Sequence, residues 1–240
     1  MLKDFIEMWK GRDFSSEVLK HFAKIIKISD KMLKRTIKEL TKPSNDKKFV
    51  QSIYTMDQRV NELQRHIRSH IVWHLAVAPA KESNICLIMM SVVKDAERLG
   101  DYTKNILEIS QLVERPLTGF KGFFGSLLND LESYYKKSSK AFVNFDIEFA
   151  KQLITEEREL KSKCNDLIQT LAAEQEISPN HAVCYTLIAQ HCKRIAAHLC
   201  NICTAVVMPV DVIDYYDEES DEFDEEEENG EANGDESPTK

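Results

Sequence analysis

Apolar side chains recur at steps of three and four along most of this chain, the period of helices that bury one stripe. Ser15-Ser16-Glu17 supplies cap-like residues, and Leu19, Phe22, Ile25, Ile26, Met32, Leu33, Ile37 and Leu40 then carry the spacing to about Thr41. Pro43-Ser44-Asn45 interrupts it, and Asp46 opens a longer segment. Its stripe is Ile53, Met56, Val60, Leu63, Ile67, His70 and His74, and it ends near Ala78-Pro79. A third segment, roughly 81–113, buries Ile85, Ile88, Val92, Leu99, Ile106 and Ile109 and stops at Arg115-Pro116. Three more helices are predicted over roughly 121–143, 146–176 and 180–210. Residues 1–14, with Phe5, Ile6, Met8, Trp9 and Phe14, predict a short amphipathic lead-in helix that packs on the bundle.

The second triplet echoes the first. Asp46 and Asp146, Phe49 and Phe149, Ile53 and Leu153, Asp57 and Glu157, Val60 and Leu160, and Pro79 and Pro179 are each 100 positions apart. Arg98 and Arg194, Asn105 and Asn201, and Ile106 and Ile202 are 96 apart, so a linker is four residues shorter in the second copy. The pattern is a tandem duplication, 15–115 and 116–210. Short loops make consecutive helices antiparallel. The expected fold is therefore all-α, two tandem antiparallel three-helix bundles related by a pseudo-twofold.

Composition agrees: 240 residues contain only 7 Gly and 6 Pro. The net charge of −8 hides an asymmetry, since 15 acids and one Lys fall in 211–240, leaving 31 Lys+Arg against 25 acids before it. A run such as Asp217 to Glu228 buries too little apolar surface to order itself, so 211–240 reads as a disordered acidic tail. No 18-residue apolar run predicts a transmembrane span, and Met1 to Phe5 does not start a secretory signal. Six Cys without small-scaffold spacing read as reduced thiols packed in helices, and a cytoplasmic location follows.

The candidate chemistry sits in the third helix. Glu97 and Asp101, four apart, project from one helix face beside the buried stripe. Paired carboxylates suit hard or borderline cations such as Mg, Mn, Fe or Zn. The plainer reading is a solvated face in which Arg98 and Lys104 neutralise the pair. Gly100 costs about 1 kcal/mol in mid-helix, which makes sense where a backbone or ligand comes close.

The full string Asp95-Ala96-Glu97-Arg98-Leu99-Gly100-Asp101-Tyr102-Thr103-Lys104-Asn105-Ile106 resembles the signature of the PhoU family. Leu99 stands where that family usually has Ile, and Asp95, Glu97, Arg98, Gly100, Asp101 and Asn105 match. The resemblance covers about residues 15–210 and implies the same double three-helix architecture. It implies a second acid pair at Asp57, with Asn61 in place of the second acid. It also implies a metal cluster (Fe, Zn, Mn or Mg) held by Asp57, Asn61, Glu97 and Asp101. Asp95 is an outer ligand, or else pairs with Arg98. In the second repeat Lys193 stands at the Glu97 position, Ala197 at Asp101 and Lys161 at Asn61, which implies a bundle without metal.

Two other constellations compete for metal. Cys184, His191 and His198 recur every seven residues, followed by Cys200-x-x-Cys203, and His66, His70 and His74 form an i, i+4, i+8 row. Both sets fall on stripes where core packing or a bundle seam also accounts for them. No nucleophile–base pair, phosphate loop or nucleotide fingerprint appears, and no Glu-x-x-His pair of a di-iron oxidase, so an enzyme is not expected. The resemblance instead implies a regulator of phosphate homeostasis. Such a protein binds a phosphate transporter and/or a sensor histidine kinase, sits at the membrane only through those partners, binds no nucleic acid and forms a homodimer. The alternatives are an accessory protein of a low-affinity phosphate permease, a metal-dependent enzyme, and a helical scaffold that uses its acidic tail.

Overall fold

Helix formation is local and well punctuated. The computed structural model describes residues 13–41, 46–77, 83–113, 117, 122–208 and 213. They form six helices: α1 (Asp13–Thr41), α2 (Lys47–Val77), α3 (Ser83–Ser110), α4 (Phe123–Asn144), α5 (Ile147–Ala173) and α6 (Pro179–Val207). The Asp46 carboxylate accepts from Lys48 N at 2.9 Å, and Asp146 caps α5 by accepting from Phe149 N at 3.1 Å. Ser178 caps α6 through His181 N at 3.3 Å, with Pro179 following in the first turn. Between α4 and α5 the chain reverses through Phe145 in the left-handed region, φ 52°, where its N–H and that of Asp146 satisfy carbonyls of Phe142 and Ala141. The buried Phe145 ring lies tilted against Phe142, with centroids 5.7 Å apart. The expected lead-in helix over 1–14 and the acidic tail lie almost wholly outside the described residues.

Two triplets result, as the repeat predicts. Helices α1, α2 and α3 pack on one another, as do α4, α5 and α6. The triplets join chiefly through α3 against α6, with a smaller contact of α1 on α4. Two tyrosines tie the layers: Tyr135 of α4 donates to the Ile26 carbonyl of α1 at 3.1 Å, and Tyr134 donates to the Leu153 carbonyl at 3.0 Å.

The α3–α6 seam changes one expectation. The single predicted stripe of α3 is buried, but so are Cys86, Met89, Val93, Ala96, Thr103 and Leu107. These form a second row at helical spacing. Gly100, which shares that row, faces Ser29 of α1 and Asp57 and Val60 of α2, whereas α6 meets the side that carries Asp95 and Tyr102. So α3 is buried on a broad arc and its charges occupy the strip left over.

All six cysteines are free and buried. Burial pushes the Cys86 thiol up to about 11 and the Cys164 and Cys203 thiols up to about 12. Cys200 and Cys203 are free thiols buried in α6, where they pack as small apolar filler. A disulfide-exchange reagent at pH 8 is expected to label the native chain at no more than the rate of global opening and all six thiols in denaturant. No helix among the described residues is long and apolar enough to cross a membrane.

Candidate functional site: an acidic cluster with its own cation

The α2 and α3 helices pack side by side, so Asp57 on α2 meets the charged strip of α3. Asp57 is 5% exposed, Glu97 and Asp101 half-buried. The structure thus brings Asp57, Glu97 and Asp101 to one face. Burial first, then the Asp101 and Asp57 charges, raise the Glu97 carboxyl above its ordinary value, against Arg98 and Arg68. Asn61 follows Asp57 by one turn, and Asp57 Oδ1 and Asn61 Oδ1 are both buried with no hydrogen-bond partner. Orphaned oxygens beside clustered carboxylates are what a cation would satisfy.

A cation is already there. Lys104 Nζ donates to Asp57 Oδ2 at 3.0 Å and to Asp101 Oδ1 at 3.1 Å. Burial opposes the ammonium charge, and the hydrogen bonds to Asp57 and Asp101 more than offset it, so its pKa lies above that of ordinary lysine. Arg98 lies 3.4 Å from Asp101 Oδ2, and Arg68 acts on Glu97. Lys104 thus occupies the side of Asp57 and Asp101 that a divalent ion would take, and Arg98 and Arg68 add positive charge near Asp101 and Glu97. With Lys104 folded in, these residues do not fit a metal. No group of three or more His, Cys, Asp or Glu among the described residues is arranged to hold one.

Asp95 lies elsewhere and pairs with neither a metal set nor Arg98. Its Oδ1 contacts His198 Nδ1 at 2.7 Å and accepts from Asn201 Nδ2 at 3.1 Å, both on α6. The 96-residue offset explains the pattern. Asp95 corresponds to His191 and Tyr102 to His198, so Asp95 on His198 and Tyr102 on His191 are the two copies of one contact. Tyr102 stacks on His198, centroids 5.4 Å apart, and tilts toward His191 at 5.7 Å. His191 and His198 are therefore seam residues.

Gly100 faces this cluster without being crowded. A methyl there would meet Asp57 Oδ1 at 3.5 Å, Ser29 Oγ at 3.7 Å and Val60 Cγ1 at 3.8 Å, ordinary contacts with side chains and none with backbone. The close backbone approach expected from the sequence is absent at this position. Gly100→Ala is expected to stabilise the chain by up to about 1 kcal/mol, measured by urea unfolding, because helix propensity improves and nothing must shift.

In the second repeat Glu157, the counterpart of Asp57, is 4% exposed. Lys193 Nζ donates to Asn165 Oδ1 at 2.9 Å. Both bundles thus set lysines from the third helix against acceptors on the second.

The sequence model of the PhoU domain matches residues 22–110 and 125–206, one match per triplet. This chain belongs to the PhoU family. It is 26% identical over 170 residues to the phosphate-specific transport system accessory protein PhoU homolog 1 of Thermotoga maritima, covering 66% of this chain and 72% of that one. Two solved PhoU structures share the fold at 18% identity. The phosphate transport system regulatory protein PhoU of Streptococcus pneumoniae superposes with TM-score 0.71 over 80% of this chain and 92% of its own. PhoU of Pseudomonas aeruginosa does so with TM-score 0.69 over 81% and 97%. In the first bundle, the side chain that joins α3 to α2 at this cluster is Lys104. Sequence reasoning placed it near Asp101 but missed its reach across to α2, because only packing shows that Asp57 lies opposite.

Proposed function

We propose that this PhoU-family chain is a regulatory adaptor of phosphate homeostasis, restraining phosphate uptake or signalling by binding a phosphate transporter and/or its sensor kinase. The observation that carries this reading is the pair of PhoU-domain matches, one on each of two triplets packed as a duplicated unit. The names of its relatives place them in phosphate transport systems. Long helix faces suit the binding of partner helices better than turnover. Val72, Trp73 and Val77, 60–65% exposed near the end of α2, add apolar surface to one such face.

In this reading the first-bundle cluster works in its lysine-closed form, with Lys104 in place of the metal that the family resemblance implies. The test is deletion of the gene, with phosphate uptake and phosphate-starvation gene expression measured in phosphate-rich medium. Derepression of either, restored by the intact gene, is expected. Unchanged uptake and expression would overturn the regulatory reading and leave a structural scaffold.

A further inference from the structure

We propose that Glu17, His21, His66 and His70 form a binding site for a borderline divalent cation of the Zn2+ class, between α1 and α2 on the far side of α2 from the acidic cluster. Glu17 and His21 are four apart on α1, and His66 and His70 four apart on α2, so each helix presents two donors one turn apart on one face. The two pairs meet where the helices pack. The His21 ring lies 6.1 Å from His66 and 6.4 Å from His70, centroid to centroid. Glu17 Oε2 lies 3.5 Å from His70 Nδ1 and completes the group. His66 is nine residues from Asp57, about two and a half turns, and so projects from the opposite face of α2.

Packing alone does not account for this group. His21 Nδ1 is buried with no hydrogen-bond partner. Three imidazoles and one carboxylate are a donor set for Zn2+, Cu2+ or Ni2+ rather than for Mg2+. Two imidazoles on one zinc ion, each at about 2.0–2.1 Å, have ring centres roughly 5 Å apart. As placed, the donors do not yet converge on one ion. Each His21 pair must close by about 1 Å. His66 is exposed, and the His70 and Glu17 side chains are 34% and 51% exposed, so their rotation can bring this about.

The test uses the full chain, stripped with chelator and titrated with Co2+ as an optical stand-in, then with Zn2+ in competition. One equivalent of Co2+ is expected, with the visible absorption of a four-coordinate site, displaced by Zn2+. His66→Ala, His70→Ala, His21→Gln and Glu17→Gln should each weaken binding at least tenfold, about what loss of even an outer partner costs a metal site. Glu97→Gln should leave it unchanged, and helical circular dichroism keeps misfolding apart from ligand loss. Absence of saturable uptake, uptake indifferent to the His66→Ala/His70→Ala pair, or uptake lost with Glu97→Gln would each overturn the assignment. This proposal does not depend on the phosphate reading, whose test reads gene expression and uptake.

Discussion

Lys104→Ala is expected to destabilise the chain by about 2–3 kcal/mol and at the same time make its stability depend on divalent cations. Removing one partner of a buried ion pair costs about 3–5 kcal/mol because the other charge is left uncompensated. The Lys104 side chain retains 21% exposure, which places this loss toward or below the lower end. In the variant, Asp57, 5% exposed, would lose its ammonium partner while Asp101 and Glu97 crowd it with like charge. Those three carboxylates and the Asn61 oxygen would then form an oxygen site for Mg2+ or Mn2+. Urea unfolding with and without millimolar Mn2+ reads both effects. The variant should regain most of its loss with the metal, by binding only the native state, while the parent chain gains little. Equal stabilisation of the parent by Mn2+ would show that Lys104 does not guard the cluster.

The same residue shows how far the sequence could be read. Helix number, order and duplication were legible because they rest on local periodicity and on offsets of 100 and 96, and both signals survive low identity. The convergence of Glu97 and Asp101 was legible from i, i+4 spacing. The plainer alternative, neutralisation by Arg98 and Lys104, describes what the structure contains, yet the important bond is from Lys104 to Asp57, 47 positions away. Spacing along one helix carries no information about which residue of a neighbouring helix lies opposite. The His66–His70 row was visible for the same local reason, whereas Glu17 and His21 join it only through the packing of α1 on α2. The broad burial of α3 had a signal: the small and apolar row at Cys86, Met89, Val93, Ala96, Gly100, Thr103 and Leu107. A helix with two apolar rows has more than one neighbour to cover, and in a duplicated triplet one of them is the equivalent helix of the other copy.

That equivalence makes Asp95→Ala the most informative change at the seam, with an expected cost of about 2–3 kcal/mol. Asp95 is 6% exposed and accepts from the Asn201 amide while pairing with His198. Its loss leaves partly buried groups on α6 without their acceptor, and each such group costs about 1–3 kcal/mol. The other copy of this contact, Tyr102 against His191, is aromatic and stays intact, so the halves are loosened on one side of the pseudo-axis only. His198→Ala alone should cost less, because Asn201 still reaches Asp95. In a double-mutant cycle Asp95→Ala and His198→Ala should couple by about 1 kcal/mol or more, as directly bonded partners do. If the seam is what makes the two triplets unfold together, Asp95→Ala should also separate the transitions followed by tryptophan emission, which reports Trp73 among the described residues, and by far-UV circular dichroism, which reports all six helices. Additive single costs with coincident transitions would mean that the apolar rows of α3 and α6 hold the halves together, with the Asp95 network as a passenger.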